Sequence, residues 1–183
     1  MSEKIKNLRG SVCTSTGMEL NFLDTSVESI TLSDIAEGLS KCARYAGQTP
    51  GKFYSVAEHS VLVSRLVPRD LKRAALLHDA SEAFTGDVSS PLKSLIGSVF
   101  TNIEDQITYK VFKAFQVPVY DDEDYIHPDI HKADHLMFLK ERAELMPKTK
   151  WWPQEEYPTI MPSIKCLEWQ KARKLYIDEF MSS

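Results

Sequence analysis

From Thr31 onward the apolar residues of this chain recur three and four apart, the spacing that gathers them on one face of a helix. Ile35, Leu39 and Cys42 or Ala43 mark a first helix, with Thr31 or Ser33 as its cap and an end near Gly47. Ser55-Val56-Ala57-Glu58 has the form of a capping box, a hydroxyl followed three residues later by a carboxylate. The helix it opens runs through Val61, Leu62 and Leu66 and stops near Pro68. Another starts near Leu71 and carries Ala74, Ala75, Leu77 and His78 as far as Thr85-Gly86. Its centre is apolar nearly all round, which predicts the buried helix of the domain. Residues 91–97 predict a short helix or turn, 100–115 an amphipathic helix, 128–146 another, and 163–181 a closing helix. The acidic run Asp121-Asp122-Glu123-Asp124 reads as a solvated loop. Residues 147–162 combine four prolines with Trp151-Trp152 and predict an irregular loop that packs over something. Ahead of Thr31, residues 11–23 place polar, β-tolerant residues around Thr16-Gly17, the pattern of a short hairpin or extended arm. The sum is an all-α domain spanning residues 1–183 with a small N-terminal β-like arm.

Composition narrows this picture. A chain of 183 residues, 43% hydrophobic and 26% charged, fits one domain with a real core. No run approaches the roughly eighteen apolar residues of a membrane helix, and the lysines before Gly10 are followed by no apolar h-region, so neither a membrane anchor nor a secretion signal is expected. Cys13, Cys42 and Cys166 are odd in number and far apart, which fits a reducing cytoplasm better than a disulfide framework. The net charge of −4 and the lack of a basic run argue against a nucleic-acid duplex as partner. A small anion remains compatible, because a metal or a few local cations outweigh the mean field.

The unusual stretch is Leu76-Leu77-His78-Asp79-Ala80-Ser81-Glu82, where an apolar helix carries an imidazole and two carboxylates. Burying charge without a partner is expensive, so such a cluster wants a cation. On a helix, Glu82 follows His78 by four residues and Asp79 by three, so all three can project to one side. Taken singly, each residue is ordinary: His59 is more often a core histidine than a ligand, Asp134 an ordinary helix acid, Glu82 and Asp87 solvated. The order His59, His78-Asp79, Asp134 raises the metal reading. Two imidazoles and two carboxylates make a mixed nitrogen and oxygen shell that suits Zn, Mn, Fe or Co better than Ca. His127, His131 and His135 compete, but the glutamate of an HExxH motif is replaced by Lys132, so they read as wall or surface residues, with His131 as a neighbour of Asp134.

His59…His78-Asp79…Asp134 resembles the four-ligand signature of HD-domain phosphohydrolases. The segments Ala43-Arg44-Tyr45, Tyr54-Ser55-Val56-Ala57-Glu58-His59-Ser60 and Ala75-Leu76-Leu77-His78-Asp79-Ala80-Ser81-Glu82-Ala83 are similar to successive blocks of bacterial 5′-deoxynucleotidases and related phage enzymes. Gly86-Asp87 and Pro91-Leu92-Lys93 continue the match, and Thr14-Ser15-Thr16-Gly17 resembles the phage branch of dATP triphosphohydrolases. That branch often has a Gly-Gly-His-Thr-like segment where this chain reads Ala46-Gly47-Gln48-Thr49, a departure close to where the base should sit.

The resemblance implies an HD-domain helical bundle and a divalent metal on His59, His78, Asp79 and Asp134. It implies Glu82 as the catalytic glutamate and Asp87 as a second acid. Arg44, Lys93 and Lys132 become candidate phosphate-binding cations, and Tyr45 the candidate base-contacting aromatic, an assignment no stronger than ordinary core packing. Further Mg or similar ions on the phosphates, a homo-oligomer and a cytoplasmic location (the host's, for a phage protein) belong to the same expectation. The activity implied is hydrolysis of dATP to deoxyadenosine and triphosphate. A 5′-deoxynucleotidase acting on monophosphates and a non-catalytic nucleotide-binding module remain alternatives.

Overall fold

A computed structural model describes residues 10–120, 125–152 and 155–183. The acidic run at 121–124 and residues Pro153 and Gln154 lie outside the described residues, as does the stretch before Gly10.

The arm expected at the start is a two-stranded antiparallel hairpin, β1 (Ser11–Cys13) and β2 (Glu19–Asn21), with Val12 opposite Leu20. Leu20 drives the hairpin onto the core, being fully buried. Its tip is held by Asp34, which accepts from the Ser15 hydroxyl (2.6 Å), the Thr16 hydroxyl (2.7 Å) and the Thr16 N–H (2.8 Å). Asp34 belongs to α1 (Leu32–Lys41), whose N-cap is Thr31, accepting from Asp34 N at 3.0 Å. Of the two expected caps, Thr31 is therefore the one used. The helix stops at Lys41, short of Gly47, because the chain turns to pair with the segment before the next helix. Ala43 and Ser55 form a β-bridge, and Arg44 N donates to Tyr54 O at 2.9 Å.

The helix α2 (Val56–Ser64) is buried along its whole length and occupies the centre of the molecule, against α1, α3 (Lys72–Leu77), α7 (Pro128–Leu145) and α8 (Trp169–Ser182). This corrects the expectation that the helix after Leu71 is the buried one; α3 is buried only from Ala74 to Leu77. Buried polar groups need partners, and those of α2 have them: Ser60 and Ser64 hydroxyls donate to Val56 O (3.0 Å) and Val61 O (2.8 Å). The capping box forms by half. Ser55 Oγ accepts from Glu58 N at 3.2 Å, but the Glu58 carboxylate turns away to accept from the backbone N–H groups of Lys165 (2.6 Å), Cys166 (3.1 Å) and Leu167 (2.7 Å). Those three amides are thereby kept out of a helix, so the closing helix starts at Trp169 rather than at residue 163.

The helix predicted from Leu71 to Thr85 is two helices, α3 and α4 (Glu82–Thr85), joined by a tight turn over residues 78–81. Within it Ala80 N donates to Leu77 O (3.0 Å) and Glu82 N to Asp79 O (3.0 Å), the closer-wound three-residue pattern. Packing accompanies the break. A Cβ on Gly38 of α1 would meet Ala83 O at 2.5 Å and Ala83 Cα at 2.8 Å, so α4 lies directly on the α1 backbone. Helices α5 (Ser90–Ile96) and α6 (Ser98–Ala114) follow as expected, and α6 buries Glu104, Ile107, Thr108, Val111 and Phe112. No helix among the described residues is long and apolar enough to cross a membrane. The architecture is thus mainly helical with one small hairpin.

Candidate metal centre

His59 on α2, His78 at the end of α3 and Asp134 on α7 converge: one ligand atom from each lies within 4.8 Å of the others. His59 Nε2 is 3.0 Å from Asp134 Oδ1, and His78 Nε2 is 4.0 Å from it. Asp79 Oδ2 approaches both imidazoles, 3.5 Å from His59 Nε2 and 3.3 Å from His78 Nε2. The four residues picked from the sequence are therefore neighbours, with Asp79 at the side of the three-residue group.

The other ring nitrogens decide what these histidines can do. His59 Nδ1 lies 2.6 Å from Glu141 Oε1, and His78 Nδ1 lies 2.7 Å from Ala75 O. Both acceptors require the proton on Nδ1, which leaves the Nε2 lone pairs directed at the shared space. Both Nε2 atoms are buried and neither has an assigned hydrogen-bond partner, although Asp134 Oδ1 comes to 3.0 Å from that of His59. Two buried imidazole nitrogens beside carboxylates, with His59, His78 and Asp134 as the core, form a group that could hold a metal ion. The residues present fit such an ion.

Glu141 is one residue that sequence reasoning missed. It is fully buried on α7 and also accepts from Tyr54 Oη (2.7 Å), Arg44 Nε (3.0 Å) and Tyr45 Oη (3.1 Å). Burial by itself would raise its carboxyl, but Arg44, His59 and these hydrogen bonds outweigh it and hold it down to about 2. A signal was available: Glu141 follows Asp134 by seven residues, two helical turns, on the same face. Arg44, expected on phosphate, spends its guanidinium on Glu141 and approaches Asp79 at 3.6 Å. Tyr45, expected on the base, puts its hydroxyl on Glu141 and its ring 6.5 Å from Trp152. Trp152 also faces Phe138 and Arg142, so the proline-rich loop does pack over something, namely this corner.

On the other side of the imidazole pair a pocket of about 210 Å³ opens, lined among others by His78, Asp79, Glu82, Lys93, Glu104 and Tyr125. Glu82 is buried and its Oε2 has no partner. Burial first, then the charges of Asp79 and Asp87, push its carboxyl well above the usual range. Burial also raises Asp87, despite Arg44 nearby, and the Asp87 N–H is anchored on Cys42 Sγ at 3.2 Å. Lys93 reaches Glu82 at 3.7 Å and Glu104 at 2.9 Å. Glu104 was also missed; its place three residues before Ile107, on the apolar stripe of α6, marks it as facing inward. Lys132 is exposed, and nothing among the described residues ties it to the cluster. His127 caps α7 by accepting from Asp129 N at 3.1 Å, and His131 and His135 are exposed, the wall or surface roles expected.

Comparison with known proteins bears on kinship alone. No family model matches the chain. It is 41% identical over 111 residues to an uncharacterized protein of Rhodobacter capsulatus, a match covering 56% of this chain and 57% of that one. It is 33% identical over 141 residues to the uncharacterized protein YfdR of Escherichia coli, covering 76% and 75%. This mainly helical protein, with its His59, His78 and Asp134 group, belongs to the family that includes YfdR.

Proposed function

We propose that this protein is a metal-dependent phosphohydrolase of the HD type that cleaves a deoxynucleotide at its α-phosphate ester. The observation that carries this reading is the pair of orphaned Nε2 atoms, each fixed by an acceptor on Nδ1, facing Asp134 and Asp79 beside a pocket that holds Glu82. A divalent ion bound there (Zn, Co, Mn or Fe) would supply Lewis acidity to a phosphoryl oxygen and to the attacking water. Glu82 is poised for the proton. Its raised affinity lets it carry one in a pocket where an exposed carboxyl would be ionised, and that proton can pass to the departing 5′ oxygen. Asp87 adds negative charge that keeps Glu82 protonated. Lys93, held charged by Glu104 and Glu82 against its burial, is the cation available to a phosphate oxygen.

The resemblance to phage enzymes supports dATP as substrate, with deoxyadenosine and triphosphate as products and further Mg ions on the phosphates. A second reading, a 5′-deoxynucleotidase acting on monophosphates, is favoured by charge. Lys93 is the cation among the described residues lining the pocket, whereas a triphosphate brings several negative charges and Arg44 is already engaged. Product analysis separates the readings. Purified protein with Co²⁺, Mn²⁺, Mg²⁺ or Zn²⁺ is incubated with each dNTP, NTP and dNMP. Deoxyadenosine plus intact triphosphate from dATP, abolished in Glu82→Ala, is the expected result. Cleavage of monophosphates alone installs the second reading. No turnover with any metal ends the enzyme reading and leaves a nucleotide-binding module. Self-association goes with the same proposal, and a monomeric elution at micromolar concentration would remove it.

A further inference from the structure

Glu141 serves two structures with one carboxylate. Oε1 faces His59 Nδ1 (2.6 Å) and accepts from Tyr54 Oη (2.7 Å); Oε2 accepts from Arg44 Nε (3.0 Å) and Tyr45 Oη (3.1 Å). Arg44 and Tyr45 belong to a turn, Arg44–Gly47, whose backbone is strained: Tyr45 (φ 56°) and Ala46 (φ 50°) are both left-handed, and neither is glycine. Such residues persist only where their surroundings over-determine them. The side-chain restraint on this turn from α7 is Glu141 itself, with the Trp152 ring beyond Tyr45. The same carboxylate fixes the tautomer and orientation of His59, without which its Nε2 does not face the other donors.

We propose that Glu141 is a positioning residue that couples metal binding to the Arg44–Tyr45 turn, so that the metal site and the strained turn beside it are assembled together. This rests on the reading of His59, His78, Asp79 and Asp134 as a metal centre, but not on any hydrolysis. Whatever shifts Glu141 changes His59 and the turn at once. Because coupling is reciprocal, metal binding tightens the turn and the turn tightens metal binding.

The test adds Co²⁺ to the metal-stripped full chain and reads two signals. Visible absorption of the bound ion gives affinity, and hydrogen–deuterium exchange gives the protection of amides 44–48. In the wild type, Co²⁺ is expected to slow exchange across that turn. In Glu141→Gln, Co²⁺ affinity should fall roughly 10–100-fold, and saturating Co²⁺ should no longer protect the turn. A purely architectural role would lower the melting midpoint and leave both signals intact in the folded variant. A folded Glu141→Gln that binds Co²⁺ within about threefold of wild type, or keeps full Co²⁺-dependent protection, overturns the proposal. If that variant does not fold, Tyr45→Phe, which removes only the hydroxyl bonded to Oε2, decides. Loss of at least about half of the Co²⁺-dependent protection supports the coupling, and unchanged protection overturns it. A wild type that binds Co²⁺ but hydrolyses no nucleotide sinks only the phosphohydrolase reading; one that binds no Co²⁺ sinks both.

Discussion

Glu141 and Glu82 are both buried beside the same two histidines, and their carboxyls are held in opposite states. Behind His59, Glu141 meets Arg44, two tyrosine hydroxyls and an imidazole N–H, and stays ionised far below the ordinary carboxylate range, at about 2. In front of His78, burial and the charges of Asp79 and Asp87 push Glu82 the other way, with Lys93 at 3.7 Å and then Arg44 offsetting them only in part. Burial acts on both alike; the neighbours decide the sign. On the proposed reading, the carboxylate whose hydrogen-bonding capacity is filled is scaffold, and the protonated one with a bare oxygen in the pocket is the one that would carry chemistry.

The contrast is open to attack, and the largest effect should come from the Glu82 side. Glu82→Gln should lower any hydrolytic rate by about 10²–10⁴-fold while changing folding stability by less than about 1 kcal/mol at low pH, since a neutral group replaces a neutral one. Steady-state rates and denaturant melts on the same preparation measure both. The linkage has a definite sign. The folded Glu82 lies above its ordinary value of 4.5, so its contribution is present below that pH and is lost as pH rises toward the folded value. Metal-free wild type should therefore lose stability with rising pH above 4.5, and Glu82→Gln should flatten that slope.

Glu141→Ala should do the reverse of Glu82→Gln. It strands Arg44 and His59 without their buried partner, at a cost of about 3–5 kcal/mol, seen as a large fall in thermal midpoint before any activity is assayed. A melt within 1 kcal/mol of wild type, a value well under that estimate, would erase the distinction between the two glutamates. Gly38→Ala comes next. Its Cβ would collide with Ala83 backbone, which cannot rotate aside, so α1 and α4 must part at about 1–3 kcal/mol. Because Glu82 opens α4, the rate should fall along with the melting midpoint. The smallest effect belongs to Asp34→Ala, about 1 kcal/mol, read as faster amide exchange in β1 and β2 with the metal centre untouched. Burial raises the Asp34 carboxyl, but the Ser15, Thr16 and Thr31 bonds outweigh it and hold it at about 2. Its stabilisation of the hairpin is therefore present above 3.8 and lost as pH falls toward 2.

The elements that the sequence announced best are those with local signals. Ser55 and Thr31 cap their helices, Gly17 at φ 84° turns the hairpin, and Pro128 opens α7. The errors arose where a distant partner outbid a local pattern. Glu58 was spelled as half of a capping box, yet the backbone of residues 165–167 claims its carboxylate and delays α8. The apolar run through His78 and Glu82 looked like continuous helix, yet the chain winds tighter between α3 and α4 where α4 lies against Gly38.

At the site, the order His59, His78-Asp79, Asp134 and its resemblance to a known signature were enough to single out those four residues, although each taken singly is ordinary. How His59 Nδ1 is engaged, which buried acid has its oxygens filled and which keeps one bare, and where Arg44 and Tyr45 place their polar groups emerged only with the tertiary structure. The contacts of Glu141 join residues 82 to 97 positions apart, those with His59, Tyr54, Tyr45 and Arg44. No spacing rule reaches across such a distance, since only the packing of α7 against α2 brings Glu141 to His59.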